Sequence, residues 1–553
     1  MNILTLIQRG RRRLTLLRSE PSSVRFGASV TFVLAVFLCS FILQVRKNPL
    51  RLDEVDYFQC MENVVKLGLP IYYAGEVSVD YSRLMYLSTR HLGSKDFEFY
   101  RYKPETGILK ETFFALVDGN SRYTYGMWHP PLYIYLGSLF LRVVPLAPDN
   151  SHLLRYFNLI FGVGVFAGMM ALSWELYPRR YRQVFLIALT LYTLNSLAVR
   201  GATLIDYNAT LGPCVAIWFI LTYLRSERSR RFHWGLAVLT MLAFCTGLGI
   251  AASLLLGISA YIFMLGRYRK PWCAIASIIA GTVSFFLMFL IFCRAFDLPF
   301  SQPFLHNISR VGAQSGLLSW IQRIHMVLTF GEFHSKEIGV VTVMISVVLF
   351  LKTVSTGQVR RVPARSLLPI VIAVGFISQA SLGAVAYWFA KYIVFLLPPL
   401  FVYLSGEGLA LVYTPSRLWR SFAAIALVTI ALTSGINSLQ MTRQPGGTLY
   451  NKGEQGIVSI SEMLRAISDP DEVILSTKDI GFFANREFVQ WSGAYLTDVV
   501  LLRTRIEEEK VRYIVASSGM LDAVPGSLAT YLDQEFHVQG ASGSFVILKK
   551  NGS

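Results

Sequence analysis

Long apolar runs recur along the first 440 residues, and their length constrains the fold of this chain more than any other feature. The first run, 26–45, has about 20 residues, and at a rise of about 1.5 Å per residue it matches a hydrocarbon core of roughly 30 Å. It lacks a small-residue cleavage pattern and is longer than the apolar part of a signal peptide, so we expect an uncleaved span. With 53% hydrophobic and only 16% charged residues, the 553-residue chain is predicted to be a polytopic α-helical membrane protein.

Short basic clusters separate the apolar runs and contribute to the net charge of +18. Such clusters are typical of cytoplasmic loops beside anionic headgroups, so we exclude nucleic acid as a partner. The clusters in 1–24, 179–182 and 225–233 are therefore placed inside, which puts the N-terminus in the cytoplasm and the C-terminus outside. We expect about 11 spans. They are 26–45, 152–177, 182–205, 207–224, 234–250, 251–267, 271–293, 338–353, 367–388, 391–412 and 421–438.

The segment between the first two spans, 46–150, is predicted to be a long outer loop rich in Tyr and Phe. Such rings suit the bilayer interface, and they also offer faces on which sugars can stack. The loop closes with Trp128-His129-Pro130-Pro131-Leu132-Tyr133, followed by an apolar helix to about Leu146. Because the next two basic clusters must both be inside, we expect this helix to be juxtamembrane and not to cross the bilayer.

After about residue 440 the composition becomes that of a soluble protein. The chain is therefore divided into a basic cytoplasmic N-terminus (1–24), a transmembrane domain (25–440) and a small extracytoplasmic α/β domain (441–553). In the last domain the pattern predicts helices at 458–467 and 497–509 and strands at 472–476, 511–516 and 544–549. It contains no recognisable catalytic motif.

Polar and ionisable residues that could carry chemistry gather at the predicted outer ends of the apolar runs. Asp53 and Glu54 follow the first span, where apolar neighbours can raise the basicity of a carboxylate. The other members are His129, Arg200, Asp206, Lys391 and Tyr392. Simpler interpretations stay open, since an acidic pair after a span can be a solvated turn, and Arg200 and Asp206 can merely neutralise each other.

In these motifs the chain resembles the bacterial branch of the dolichyl-phosphate-mannose-dependent protein mannosyltransferases, a GT-C group that includes the lipid A aminoarabinose transferases. The matching pieces are Asp53-Glu54 with Tyr57, His129-Pro130-Pro131-Leu132-Tyr133, Arg200-Gly-Ala-Thr-Leu-Ile-Asp206 and Lys391-Tyr392-Ile-Val-Phe-Leu-Leu-Pro398. They lie in the family's order and spacing, over residues 25–415. Lys391 stands where Arg is usual and His129 where many bacterial members carry Lys, which bears on the sugar and lipid that are bound.

The resemblance implies inverting transfer of a sugar from a polyprenyl-phosphate donor to an acceptor hydroxyl of a glycan, lipid or protein, at the outer face of a bacterial plasma membrane. Asp53 is then the general base, and Glu54 supports it. The residues expected to hold the donor and its phosphate are Lys391, Tyr392, Arg200, His129, Tyr57 and Arg310. Asp206 positions the acceptor, binds a divalent cation with Asp53, or pairs with Arg200, and we favour the first role. The only cofactor that these residues suggest is a divalent cation.

Two other classes of protein also place charges near helix ends. A transporter or lipid flippase is one alternative, although such proteins usually show repeated halves, and this sequence shows no internal repeat. A lipid-linked glycan ligase or polymerase is the other, and it differs from the glycosyltransferase in its acceptor. Release of polyprenyl phosphate from a labelled donor, with acceptors supplied one at a time, separates the three classes.

Overall fold

The computed structural model describes most of the chain, with gaps. The described residues are 23–47, 50, 53–68, 70–73, 123–125, 131–229, 231–265, 271–295, 300, 363–381, 392–413, 416–443, 456–486, 488–491, 499–521 and 524–552. They form two compact units. The helical unit comprises the described parts of Met1–Gln44, Asn158–Leu290 and Gln314–Arg443, and the mixed unit those of Val45–Phe157, Ile291–Ala313 and Gln444–Ser553.

The fold is mostly helical. The α-helices are α1 Ser23–Lys47, α2 Asp53–Leu67, α3 Leu132–Val143, α4 Asn158–Leu176, α5 Tyr181–Leu194, α6 Ser196–Thr203, α7 Leu211–Ser229, α8 Trp234–Thr246, α9 Leu248–Leu265, α10 Trp272–Ala295, α11 Pro363–Ser381, α12 Leu397–Val412, α13 Arg417–Arg443, α14 Ile457–Ile467, α15 Lys478–Ala484, α16 Val499–Glu508, α17 Ser518–Leu521 and α18 Gly526–Glu535. The 3-10 helices are η1 Pro148–Phe157 and η2 Val394–Leu396. The strands are β1 Ile71–Tyr73, β2 Tyr123–Tyr125, β3 Ile474–Ser476, β4 Phe488–Gln490, β5 Tyr513–Ser517, β6 Phe536–Ser542 and β7 Phe545–Lys550.

Several of these helices could cross a bilayer. Within the described residues, 5 helices are long and apolar enough, and 6 spans result if the bent pair of α5 and α6 counts as one. The long helices are Ser23–Val45, Asn150–Leu176, Trp272–Arg294, Val394–Val412 and Arg417–Ile436. The expected span 338–353 lies outside the described residues. The helical membrane fold is therefore confirmed, while the number of about 11 spans and their orientation stay predictions.

The run 182–205, expected as one span, is broken into α5 and α6, which differ in direction by 72°. Asn195 lies at the break with an extended backbone (φ −75°, ψ 116°). Its N–H donates to the carbonyl of Leu191 at 3.0 Å and ends α5, while its side-chain oxygen accepts the N–H of Ala198 at 3.0 Å and begins α6. A single polar residue thus ends one helix and caps the next.

Polar side chains join the apolar helices α9 and α11 of the helical unit. The amide nitrogen of Gln379 donates to the carbonyl of Gly249 at 3.0 Å and to Ser253 Oγ at 2.8 Å. Ser253 and Ser378 share a further hydrogen bond of 2.6 Å. Within a bilayer, small residues and interhelical hydrogen bonds hold helices together because lipid is as apolar as the helix surface.

In the mixed unit, α3 packs closely against α2. Gly137 leaves no room for a Cβ beside the side chain of Met61, and the hydroxyl of Tyr135 donates to the carbonyl of Gly68 at 2.8 Å. The helix has 12 residues and is about 18 Å long, too short to cross a core of roughly 30 Å. Its length agrees with the juxtamembrane position expected from the sequence, which stays a prediction.

The C-terminal part of the mixed unit is a five-stranded sheet in the order β4-β3-β5-β7-β6. Strands β3, β4 and β5 are parallel, and β7 and β6 are antiparallel additions. Four of the five residues of β5 are buried, as expected when helices cover both faces of a sheet. The strands expected at 472–476, 511–516 and 544–549 correspond to β3, β5 and β7.

The sequence pattern missed part of this sheet. Strand β4 has only 3 residues, and β6 is mostly exposed, so neither shows a clear alternation of apolar and polar residues. The helices α15 and α18 were also unexpected. Helix α15 has only 7 residues and nearly all of them are buried, so a periodic pattern could not reveal it.

Candidate functional site

The acidic stretch after the first span forms the beginning of α2, and Asp53 is its first residue. Asp53, Glu54 and Asp56 put three carboxylates in the first helical turn, where the helix dipole favours negative charge and so supports the start of the helix at this position. The side chain of Asp53 lies outside the described part of the chain. Most side chains of α2 from Glu54 to Val64 are buried, so this part of the helix is an internal element of the mixed unit.

Glu54 is held by a two-pronged ion pair with Arg155, which lies in η1. Arg155 Nε donates to Glu54 Oε1 at 3.0 Å, and Nη2 donates to Oε2 at 2.5 Å. The two side chains are only 1% and 4% exposed. Paired guanidinium donors fix the plane of a carboxylate, so Glu54 has a set orientation next to Asp53.

Asp56, one turn beyond Asp53, pairs with a residue from the C-terminal sheet region. Lys478 Nζ lies 2.5 Å from Asp56 Oδ2, and both side chains are mostly buried. Two residues further along α2, the ring of Phe58 meets Phe482 edge-on, with 5.5 Å between centroids. The first turns of α2 are therefore held both by η1 and by α15.

Tyr57, expected near the donor, is buried in the same part of the mixed unit. Its ring packs edge-on against Tyr133 of α3, with centroids 5.9 Å apart. Tyr133 belongs to the motif Pro131-Leu132-Tyr133 that the sequence analysis singled out. The structure thus brings this motif against the acidic stretch, as part of the close packing of α3 on α2.

Arg200 lies on the short helix α6 of the helical unit and is 5% exposed. The next residue, Gly201, faces η2, and a Cβ added there would lie 2.8 Å from Val394 Cγ1. Tyr392, which is partly buried, lies two residues before Val394. The structure therefore places α6, the helix that carries Arg200, beside the segment that begins with Tyr392.

Asp206 follows α6 in a tight turn and is almost completely buried. Its Oδ1 accepts the N–H of Asn208 at 2.8 Å, and its carbonyl accepts the hydroxyl of Thr210 at 2.6 Å. This side-chain-to-backbone turn fixes the carboxylate at the start of α7. Asp206 and Asp53 belong to different units, so the cavity that we expect them to share stays a prediction.

The three remaining expected residues, His129, Lys391 and Arg310, lie outside the described residues. Among the side chains that the structure does describe, no group of three or more His, Cys, Asp and Glu could hold a metal ion. Because the side chain of Asp53 is not among them, the suggestion that Asp53 and Asp206 bind a divalent cation is untested.

Sequence reasoning missed Arg155, Lys478 and Asn195. Arg155 is an arginine at the start of an apolar run, a signal that marks functional sites near membranes and that could have singled it out. Asn195, followed by Ser196 inside an apolar run, is a helix-cap signal. Lys478 gives no such signal, because its partner lies 422 residues away.

Solved structures of two enzymes, ArnT and AglB, have the same fold as this chain. ArnT from Cupriavidus metallidurans, bound to undecaprenyl phosphate, matches 96% of this chain and 99% of its own length with a TM-score of 0.55 and 13% identity. Its apo form matches with a TM-score of 0.56 and 12% identity, covering 95% of this chain and 98% of its own length. The archaeal oligosaccharyltransferase AglB from Archaeoglobus fulgidus, in complex with an inhibitory peptide and a dolichol-phosphate, matches 94% of this chain and 74% of its own length with a TM-score of 0.53 and 13% identity.

No sequence family and no curated protein matches this chain. The likeness is therefore one of fold and not of sequence, and it extends over nearly the whole chain. ArnT and AglB are both glycosyltransferases of the GT-C fold. The expectation from the motifs is confirmed at this level: the chain has the GT-C fold.

Proposed function

We propose that this protein is a membrane glycosyltransferase that moves a sugar, with inversion, from a polyprenyl-phosphate donor to an acceptor hydroxyl at the outer face of the membrane. The observation that carries the proposal is the fold likeness over 96% of the chain to ArnT bound to undecaprenyl phosphate. The acidic helix supports it, because α2 begins with the Asp53-Glu54 motif at the point where the first span ends.

In this mechanism Asp53 is the general base. The acceptor oxygen attacks the anomeric carbon, its proton passes to Asp53, and the bond between the sugar and the lipid phosphate breaks. Attack from the side opposite the phosphate inverts the anomeric centre. Glu54 is not assigned the role of base, because Arg155 binds both of its carboxylate oxygens. Glu54 instead fixes the first turn of α2.

The leaving polyprenyl phosphate takes the electron pair and needs positive charge more than a proton. Arg200 is a buried cation on α6, and Gly201 brings this helix against η2, two residues after Tyr392. Lys391 precedes Tyr392 directly, so we propose that Lys391 and Arg200 hold the phosphate together.

The transfer reaction is tested by incubating purified protein with labelled polyprenyl-phosphate sugar and measuring the release of polyprenyl phosphate. We expect Asp53→Asn to lower turnover by roughly 10²-fold or more, since acid–base groups typically contribute that much. The matched control is Asp533→Asn, which removes an exposed carboxylate on α18 and should leave turnover unchanged. Turnover of Asp53→Asn equal to that of wild type would remove Asp53 from the role of base.

The phosphate site is tested by donor affinity. Lys391→Ala should weaken donor binding more than acceptor binding, whereas Lys391→Arg should retain it, because a guanidinium binds phosphate through two parallel hydrogen bonds. Donor affinity unchanged in Lys391→Ala would point to Arg310 as the phosphate ligand, or to Arg46 and Lys47, the two cationic residues that end α1 next to the acidic stretch.

Transfer of a lipid-linked oligosaccharide is the second candidate, and the likeness to AglB favours it. A donor with one sugar and a donor with several, compared at equal concentration, distinguish the two candidates. Faster release of lipid phosphate from the single-sugar donor supports the first proposal, and faster release from the oligosaccharide donor supports the second.

A further inference from the structure

The beginning of α2 is attached to a distant part of the chain by the ion pair of Asp56 and Lys478. We propose that Lys478 is a positioning residue, which couples the C-terminal sheet region to α2 and thereby sets the position of the first turn of α2, the turn that carries Asp53 and Glu54. The inference rests on the proposed function, because it assigns Lys478 a role in the reaction of that site.

The position of Lys478 just after a strand of the sheet explains how it reaches α2. It follows Thr477 at the carboxyl end of β3, which lies between the parallel strands β4 and β5. The carboxyl ends of parallel strands are the edge of an open α/β sheet where ligands usually bind. In this protein Lys478, at that edge, contacts Asp56, so the edge that commonly binds a small molecule meets the acidic helix.

The contact is more than one ion pair. Lys478 and Phe482 are four residues apart on α15 and so lie on one face of that short helix. Phe482 meets Phe58 with ring centroids 5.5 Å apart, and Phe58 is completely buried. The ion pair and the ring contact therefore attach α15 to α2 at two points, Asp56 and Phe58, which lie two residues apart on α2.

The charges of the first turn explain why a cation is needed at this place. Asp53, Glu54 and Asp56 put three carboxylates within four residues, and carboxylates three residues apart on a helix repel each other. Arg155 compensates Glu54 and Lys478 compensates Asp56. A buried ion pair adds little to stability compared with well-packed apolar residues, so its presence here fits a role in orientation.

The role predicts a specific kinetic pattern. Misplacement of a catalytic group by about 1 Å can cost roughly 10²-fold in rate, so Lys478→Met should lower kcat by about 10- to 100-fold with the KM for the donor unchanged. Asp56→Asn should do the same. Lys478→Arg should restore most of the rate, and the exchanged pair Asp56→Lys with Lys478→Asp should recover part of it. Hydrogen exchange of backbone amides in α2 should be faster in Lys478→Met than in wild type.

Arg503→Met is the matched control, because it breaks an exposed ion pair with Glu507 in the same region of the chain without touching α2. It should keep both the wild-type rate and the wild-type exchange. A wild-type kcat in Lys478→Met, or a loss that neither Lys478→Arg nor the exchanged pair recovers, overturns the inference. If the wild-type protein releases no polyprenyl phosphate, the proposed function fails instead. In that case hydrogen exchange still tests the coupling without any activity: if the amides of α2 exchange at the same rate in Lys478→Met as in wild type, the coupling is rejected.

Discussion

Two regions carry charged residues that are expected to act on substrate: the acidic first turn of α2, and the corner formed by α6 and its flanking turns (195–210). They differ in how far along the chain their stabilising partners lie. Around α6, several hydrogen bonds join residues 2–4 positions apart, such as Asn195 with Ala198 and Asp206 with Asn208, and one joins Asn158 to the carbonyl of Leu204, 46 residues away. At α2, the partners of Glu54 and Asp56 lie 101 and 422 residues away.

Because of this difference, single substitutions should destabilise the two regions to different extents. A corner held mainly by local hydrogen bonds depends mostly on its own stretch of chain, and each bond contributes about 1 kcal/mol. A turn held by buried ion pairs depends on the packing of distant segments, and removal of one partner leaves a buried charge uncompensated. We therefore expect single substitutions to damage α2 more than the corner.

The largest loss of stability is expected for Arg155→Met. It leaves the carboxylate of Glu54 buried without its cation, so the free energy of unfolding should fall by about 3–5 kcal/mol. Thermal unfolding in detergent measures the change. The double variant Glu54→Leu with Arg155→Met removes both charges and should recover much of the loss. A double variant as unstable as the single one would show that charge burial is not the cause.

A smaller loss is expected where the corner meets η2. Gly201→Ala places a Cβ 2.8 Å from Val394 Cγ1, and overpacking of this kind costs about 1–3 kcal/mol. The same variant should weaken donor affinity, since it displaces the segment after Tyr392. Val394→Ala should rescue both properties. Gly162→Ala on α4, where an added Cβ meets nothing within 4 Å, is the control and should not destabilise the protein.

The smallest effect is expected at the helix break. Asn195→Ala removes the cap of α6 and should lower stability by about 1 kcal/mol, whereas Asn195→Ser keeps a capping oxygen and should lose less. Thermal unfolding of both variants measures the difference. A loss for Asn195→Ala as large as that for Arg155→Met would contradict the distinction between a locally built corner and a turn held from a distance.

Much of the fold could be predicted because its signals are local. Hydropathy alone indicates membrane helices, and the order of four short motifs pointed to the GT-C fold. The break at Asn195 was also readable in principle, because a polar cap inside an apolar run is visible in the sequence. What failed was the choice between one long helix and two helices at an angle, since both bury the same apolar residues.

The sequence by itself determined which segments are apolar and which residues at the ends of the apolar runs carry charge. Only the tertiary structure decided that Glu54 is engaged by Arg155 and that Asp56 is held by Lys478. The physical reason is that a buried carboxylate must be neutralised by whichever cation the fold brings within about 3 Å. Which cation that is depends on the meeting of segments far apart in the chain, and no local pattern records it.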